Sequence, residues 1–154
     1  MKLFFTSLSL IFLLSACADK DAFSKFQLTQ KQEYAENSIQ SAKINSQNGV
    51  EGIFSAIYLN EVMPQRYKGN EYFFVFYTLK DDNKSLDIFL NLHTPIKQTP
   101  LKTTNEFSKL IISDIKWNKY YLLEYKKEQS NILNLQLKGK KFSSSVLKYK
   151  KNEE

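Results

Sequence analysis

The chain has few of the residues from which most metal and catalytic sites are built. Its 154 residues include one histidine, His93, and one cysteine, Cys17. A disulfide needs two cysteines, and a zinc site needs several His, Cys or acidic ligands brought together. We therefore predict that the protein has no disulfide, binds no metal and uses no cofactor.

Arginine is also scarce, since Arg66 is the only one, although the formal net charge is +6. Lysine supplies almost all of this positive charge. Proteins that read nucleic acid rely on the arginine fork to bind phosphates and base edges. The composition therefore indicates that nucleic acid is not the partner, and it leaves an anionic surface or simple solubility as reasons for the charge.

The chain lacks the short motifs of common enzymes. It contains no Gly-x-Ser-x-Gly elbow and no glycine-rich phosphate loop. His93 follows a strand-like segment without a second ligand, and Asp81-Asp82 lies in a turn-like segment without the spacing of a calcium loop. We predict no catalytic residue. The alternative is an enzyme that uses two carboxylates brought together by the fold.

No apolar segment is long enough to span a bilayer. The longest, residues 3–14, follows the positive Lys2 and is interrupted by Thr6, Ser7 and Ser9. As a helix it would extend about 18 Å, well short of the hydrocarbon core of about 30 Å. This length and position are typical of the apolar region of a signal peptide.

The signal-like segment ends in Leu14-Ser15-Ala16-Cys17. This tetrapeptide resembles the lipobox of bacterial lipoproteins, in which small residues precede a cysteine whose thiol accepts a diacylglycerol group. The resemblance implies cleavage between Ala16 and Cys17, acylation of Cys17 and attachment to a lipid bilayer. Ala18, in place of an aspartate, implies the outer membrane of a Gram-negative cell. An ordinary secretory signal with a chance cysteine is the alternative.

The remaining chain is rich in residues that favour strands, with twelve Phe and nine Tyr. Short strand-like segments separated by turn residues follow a polar N-terminal stretch. We predict a signal peptide at residues 1–16, a lipidated N-terminus and tether at 17–36, a β-sandwich domain at 37–151 and a tail at 152–154. The predicted fold class is all-β, a two-sheet antiparallel sandwich.

Turn and hydrophobicity patterns place individual strands. Asn48-Gly49 predicts a two-residue hairpin turn, which would set Ile44 opposite Ile53. The run "YFFVFY" at 72–77 is apolar throughout and predicts a central strand buried on both faces, with an aromatic ligand platform as the alternative.

Three further segments have strand character. "SLDIFLNLH" would place Leu86, Ile88, Leu90 and Leu92 on one face, and "ILNLQLK" alternates leucine with polar residues from 132 to 138. "TPIKQTPLKTTN" contains two prolines and predicts a long crossover or an edge strand, because proline cannot donate a ladder hydrogen bond.

This pattern of strands resembles the immunoglobulin-type fold, a variant of which occurs in small bacterial lipoproteins. The resemblance implies an immunoglobulin-like sandwich without a disulfide. Tyr120 and Tyr121 are the only candidates for the tyrosine corner of that fold, and Trp117 comes late in the chain. Resemblance of fold alone carries no function.

Two basic segments are candidate binding surfaces. The loop "MPQRYKGN" contains Arg66 and Tyr67, residue types enriched at interface hot spots, with an ordinary strand connection as the alternative. The C-terminal "KGKKFSSSVLKYKKNEE" carries six lysines, which suit an anionic envelope polymer or an acidic partner, or else protect an edge strand from pairing. Glu71, Lys80 and Asp81 flank the aromatic run and are interpreted as charges that limit aggregation.

We therefore predict a non-enzymatic, membrane-anchored module of the cell envelope. Its partners would be the lipid bilayer, through acylated Cys17, and an envelope protein, polymer or host molecule bound by the sandwich in adhesion or envelope assembly. The alternative function is a carboxylate-dependent hydrolase of envelope glycans.

Overall fold

A computed structural model describes residue 35 and residues 37–81, 86–108, 110–111 and 115–151. Within these ranges the chain forms nine strands, and a short helical turn follows the second of them. The strands are β1 (Gln40–Ser46), β2 (Gly49–Tyr58), β3 (Glu71–Leu79), β4 (Leu86–Leu90), β5 (Lys97–Leu101), β6 (Lys119–Tyr125), β7 (Ile132–Gly139), β8 (Phe142–Ser144) and β9 (Leu147–Lys150), and the helical turn is α1 (Leu59–Val62).

All nine strands belong to one antiparallel sheet. Its order is β4-β7-β8-β1-β2-β3-β6-β5, and β9 pairs with β7 beyond β8. β3 lies between β2 and β6, and β5, which contains Pro100, lies at an edge, one of its two predicted places. The all-β prediction is confirmed. A single sheet does not by itself establish the two-sheet, immunoglobulin-like sandwich.

The sheet is strongly curled, because its two edge strands are joined by a short connection. Eight strands laid flat would place the edges about 34 Å apart at the usual strand spacing. The residues between β4 and β5 span at most about 25 Å, and the first of them fold back in a tight turn. Across the curl, the hydroxyl of Tyr125 in β6 donates to the carbonyl oxygen of Ile88 in β4 at 3.0 Å.

Curling encloses a core on the concave face of the sheet. Phe54, Phe73 and Leu123 from the central strands are buried there with the three leucines of β7, as the alternation in β7 predicts. Tyr149 of β9 packs on this core from the opposite side of the curled sheet, with its ring centroid 5.4 Å from that of Phe73. The Tyr149 hydroxyl donates to the carbonyl oxygen of Ala56 at 2.6 Å, which links β9 to β2 across the core.

A second core lies on the convex face of the central strands, under the segment that connects β5 to β6. The ring of Phe74 stacks 4.9 Å from Phe107 of that segment and 6.1 Å from Tyr120 of β6. β3 is therefore buried on both faces, and its aromatic run is core rather than an exposed ligand platform. The Tyr120 hydroxyl donates to the carbonyl oxygen of Ile115 at 3.0 Å, a hydrogen bond of the tyrosine-corner type.

The β1–β2 hairpin differs from the predicted register by one residue. Ile44 pairs with Gly52 rather than with Ile53, because Glu51 is an extra, bulged residue in β2 and the turn lies at residues 47–48. A shift of one residue moves side chains to the other face of a sheet. Ile44 is consequently buried in the concave core, whereas Ile53 is exposed.

β4 ends earlier than its alternating pattern predicts. Its three apolar inward positions pack as expected, but Leu92 is 80% exposed. Asn91 and Leu92 have positive φ angles of 46° and 72°, and Leu90 and His93 exchange two backbone hydrogen bonds across them. This is the geometry of a two-residue hairpin turn. The prediction that Leu92 shares the core face is wrong.

Candidate functional site

A cleft of about 980 Å³ opens at one end of the curled sheet. One wall is the segment after β2, residues 59–70, and the other is the connection from β6 to β7, residues 126–131. β2 and β6 both run antiparallel to β3, so both end where β3 begins. Lys151, directly after β9, reaches the same place. The directions of the strands therefore bring three segments that are distant in sequence, the two walls and Lys151, to the same end of the sheet.

The floor of the cleft contains a buried ion pair. Glu71, the first residue of β3, is 2% exposed. Its Oε1 accepts hydrogen bonds from Lys151 Nζ at 2.8 Å and from the backbone N–H of Glu128 at 2.9 Å. Its Oε2 accepts from the hydroxyl of Tyr58 at 2.5 Å. A buried charge is tolerated only when it is paired and hydrogen bonded, so this one carboxylate ties both walls to the end of β9.

The network keeps Tyr58 protonated. Burial, followed by the hydrogen bond to Glu71 and the negative charges of Glu71 and Glu61, raises the pKa of Tyr58 far above its ordinary value. The hydroxyl is therefore a fixed donor at neutral pH. Glu71, in turn, accepts from three donors on its two oxygens. A fully satisfied network of this kind holds the segments rigidly together.

Asn60 fixes the shape of the first wall. Its side-chain nitrogen donates to the carbonyl oxygen of Asn70 at 2.6 Å, and its side-chain oxygen accepts from the backbone N–H of Tyr72 at 2.8 Å. Within the loop, the backbone N–H of Tyr67 donates to the carbonyl oxygen of Met63 at 3.1 Å. The ends of the loop are thus held together without a ligand, which makes this wall preformed.

The two residues predicted to bind in this loop contact each other, with the guanidinium carbon of Arg66 5.3 Å from the centroid of the Tyr67 ring, but they differ in their other surroundings. Tyr67 lines the cleft, with its ring centroid 5.0 Å from Tyr72 and 6.3 Å from Phe107. Arg66 forms two hydrogen bonds with the carboxylate of Glu106, which raise the pKa of Arg66, and both side chains are about half exposed at 53% and 46%. Arg66 therefore braces the loop from outside the cleft, and a binding role for either residue stays a prediction.

The hydroxyl of Tyr67 is buried and has no hydrogen-bond partner among the residues that the structure describes. Burial is the main cause that raises the pKa of Tyr67. A buried hydroxyl left unpaired costs about 1–3 kcal/mol. This residue is therefore a point of local instability in an otherwise well-bonded wall.

The rim of the cleft offers hydrogen-bond donors, acceptors and positive charge. Lys68 and Lys127 are exposed on opposite walls, and Gln65, Gln129 and Asn131 add exposed amide side chains. Amides both donate and accept hydrogen bonds, whereas lysine only donates. The rim can therefore hydrogen bond to a polar ligand.

The other residues considered as candidate sites lie apart from the cleft. His93 directly follows the turn after β4, and Asp81 follows the far end of β3, whereas Asp82 is outside the described residues. Across the described ranges, no group of three or more His, Cys, Asp or Glu is placed to hold a metal ion. Ala16 and Cys17 also lie outside the described residues. In the part of the chain that is described, no helix has the length and apolarity to cross a bilayer.

The partners in the floor of the cleft are not apparent from the sequence. Glu71 precedes an apolar strand and is interpreted above as an exposed charge that limits aggregation, but the structure buries it, so that interpretation is wrong. Its counterion Lys151 is 80 positions away and looks like one more lysine of a basic tail. The only local signal is a carboxylate placed directly against the most apolar strand.

Comparison of the chain with protein-family models, with curated proteins and with solved structures found no match. Function is therefore inferred from the residues of the cleft and from the N-terminal motif.

Proposed function

We propose that the protein is a non-enzymatic binding module of the cell envelope and that the cleft at the end of the sheet is its binding site. The observation that carries this proposal is a preformed cleft with amide and lysine side chains on its rim and a hydrogen-bonded ion pair, Glu71–Lys151, in its floor. The amides and lysines of the rim suit a polar segment of an envelope protein or polymer. Binding there would serve adhesion or envelope assembly.

Glu61, Glu71 and Glu128 line the cleft, and the hydrogen bonds of Glu71 and Glu128 favour binding over catalysis. A glycan hydrolase needs two carboxyl groups about 5–9.5 Å apart, one of which exchanges a proton. Glu71 is occupied by three donors, and Glu128 Oε2 accepts from the side chain of Asn91 at 3.1 Å. The hydrolase alternative stays a prediction. It would replace the binding proposal if purified protein cleaved envelope glycans and Glu61→Gln/Glu128→Gln abolished that activity.

Capture from envelope extracts tests the binding proposal. The natural lipidated protein is compared with Lys68→Glu/Lys127→Glu, which reverses the charge on both walls of the cleft. Lys102→Glu/Lys116→Glu is the matched control, because it makes the same change of charge at exposed positions between β5 and β6. We expect a component that the natural protein and the control retain and the cleft variant loses. Equal retention by all three, or equal loss in both variants, would contradict the proposal.

The anchor is a separate part of the proposal. Cys17, at the end of the lipobox-like motif, would be acylated and would hold the domain on the outer membrane. Cys17→Ser is expected to abolish incorporation of a labelled fatty acid and to release the protein from membranes. Label retained in this variant would overturn the assignment.

The immunoglobulin-like form of the fold is also proposed. It is supported by the tyrosine-corner hydrogen bond of Tyr120 and by two walls, β1-β2-β3-β6 and β4-β7-β9, that share the concave core. An experimental structure in which these walls superpose on the two sheets of such a sandwich is the expected result. Walls that close instead into a continuous barrel would contradict it.

A further inference from the structure

The outer face of strands β4, β7 and β9 forms one surface, which we call the basic wall. Side chains alternate along β7 and β9, so the residues between the buried ones point outward. Lys150 of β9 lies opposite Ile132 of β7, and the ammonium of Lys138 is 5.9 Å from the ring centroid of Phe89 in β4. The outward residues that define the basic wall are Leu92, Ile132, Lys138, Val146, Lys148 and Lys150.

Three lysines, Lys138, Lys148 and Lys150, point outward from this wall. Residues 138–151 contain six lysines and no acidic residue. Lys151 pairs with Glu71 in the floor of the cleft, and within the described residues none of the other five makes an ion pair. Asp87 is the acidic residue of β4 on this face, where it lies opposite Lys138. Lysine therefore outnumbers carboxylate on the wall.

Leu92 protrudes from the wall in a backbone conformation that leucine rarely adopts. It is 80% exposed at a φ of 72°, in a turn position that is normally glycine because a side chain clashes with the backbone there. Asn91 fixes the turn, because its side-chain oxygen accepts from the backbone N–H of Asn134 at 2.9 Å. The fold thus tolerates local strain to hold an apolar side chain in solvent, which points to a use for that side chain.

Two more aliphatic side chains are exposed on the same face. Ile132 is 53% exposed and Val146 is 41% exposed. Leu92 and Val146 line a shallow depression of about 330 Å³ between the strands. Single exposed apolar residues are common, but three of them beside lysines on one wall form a mixed patch that needs an explanation.

We propose that the basic wall docks on the surface of a bilayer that contains anionic phospholipid. Leu92 would enter the boundary between headgroups and acyl chains, and Lys138, Lys148 and Lys150 would lie against the phosphates. Aliphatic side chains partition into that boundary while lysines keep their charge at the headgroups, so the surface of a bilayer accommodates both kinds of residue. A nucleic acid would satisfy the lysines but not the exposed aliphatic side chains.

Docking would give the domain a fixed orientation on the membrane. A single lipid anchor, as expected at Cys17, does not by itself set the orientation of a domain, and a basic patch is a second signal that stable membrane binding commonly uses. The cleft lies where β7 begins and β9 ends, so a domain docked through the basic wall would keep the cleft beside the bilayer and open to partners. The proposal does not depend on what the cleft binds.

Vesicle sedimentation tests the docking. The processed chain, residues 17–154, carries Cys17→Ser so that no acyl group contributes, and it retains every residue that the structure describes. On phosphatidylcholine vesicles with about 30% phosphatidylglycerol we expect at least about tenfold stronger partitioning than on phosphatidylcholine alone, falling as salt rises from about 0.1 to 0.5 M. Equal partitioning onto the two kinds of vesicle, or onto neither, would overturn the proposal.

Charge-reversal variants distinguish binding through the basic wall from an effect of the net charge of the protein. Lys148→Glu/Lys150→Glu is expected to lower partitioning at least about tenfold, and the control Lys102→Glu/Lys116→Glu to change it less than about twofold. Circular dichroism checks that both variants are folded. Equal losses in the two variants would show an effect of net charge only and would overturn the wall as the docking surface.

A unique thiol reports the insertion of Leu92. Because Cys17→Ser removes the only cysteine, Leu92→Cys can be labelled with an environment-sensitive dye, and Lys102→Cys provides the matched control. We expect a blue shift at position 92 and none at position 102 on anionic vesicles. Dye at position 92 that stays in water while the protein is bound would overturn the insertion of this residue.

Discussion

Removing the ammonium group of Lys151 tests the buried ion pair in the floor of the cleft. Lys151→Met keeps most of the side-chain volume and removes the charge. Glu71 would keep two donors, the hydroxyl of Tyr58 and the backbone N–H of Glu128, but it would lose its counterion. The side chain of Glu71 is 3% exposed, so water cannot solvate the unpaired carboxylate unless the floor of the cleft opens.

The size of the effect follows from the burial of the two partners. A buried pair broken on one side costs about 3–5 kcal/mol, and the 18% exposure of Lys151 places this pair near the lower value. Glu71→Gln leaves an ammonium that can turn toward water, so we expect a loss of about 1–2 kcal/mol. The double variant Glu71→Gln/Lys151→Met contains neither charge. Its loss in free energy of unfolding should be about 2 kcal/mol smaller than the sum of the losses in the two single variants.

Urea unfolding followed by far-UV circular dichroism measures the free energy of unfolding of each variant. Arg66→Met and Glu106→Gln provide the matched control, because they break an ion pair that is about half exposed, and each should cost less than about 1 kcal/mol. The reasoning fails if Lys151→Met costs no more than Arg66→Met, or if the losses in the double variant are simply additive.

Three further predictions use the same urea assay. Burial raises the pKa values of Tyr58, Tyr125 and Tyr149. The free energy of unfolding should therefore be independent of these residues below their ordinary pKa of about 10 and should fall above it, by up to about 1.4 kcal/mol per pH unit for each. A stability profile that is flat to about pH 11 would contradict this. Leu92→Gly should raise the free energy of unfolding by about 1 kcal/mol, because glycine adopts a φ of 72° without strain, and a decrease would refute the strain. Tyr67→Phe removes a buried, unpaired hydroxyl and should leave stability unchanged or raise it by about 1 kcal/mol, whereas a clear loss would show that the hydroxyl has a partner.

Local patterns were sufficient to predict the strands that pack on apolar neighbours. The alternating leucines of β7 and the aromatic run of β3 encode their burial directly, because the side-chain period of a strand is two residues. The register of β1 and β2 was not predictable in this way. It depends on the bulge at Glu51, a residue whose charged side chain fits a regular strand equally well.

The end of β4 shows a similar limit. Leu92 continues the alternation of the strand, and no glycine marks the turn. The turn is held by two hydrogen bonds that Asn134, 43 positions away, donates to the side-chain oxygen of Asn91, and this pairing is apparent only in the folded chain. The immunoglobulin-type resemblance likewise rested on strand number and spacing, which do not specify how many sheets the strands form.

The candidate site was predictable only in part. The loop with Arg66 and Tyr67 forms one wall of the cleft, because an end loop between adjacent strands is exposed at the end of a sheet. The floor could not be predicted. Glu71 and Lys151 meet only because β3 and β9 share one end of the curled sheet, and neither residue stands out from the other charges of the sequence.

Photo-crosslinking in intact cells tests the central claim, that the cleft binds an envelope partner, most directly. A photoreactive benzoylphenylalanine replaces Lys68 or Gln129, on opposite walls of the cleft, or replaces Lys102 or Lys116 at a distance from it. The account predicts one crosslinked component common to both cleft positions and missing at both control positions. No crosslink at either wall, or the same component at the control positions, would contradict it.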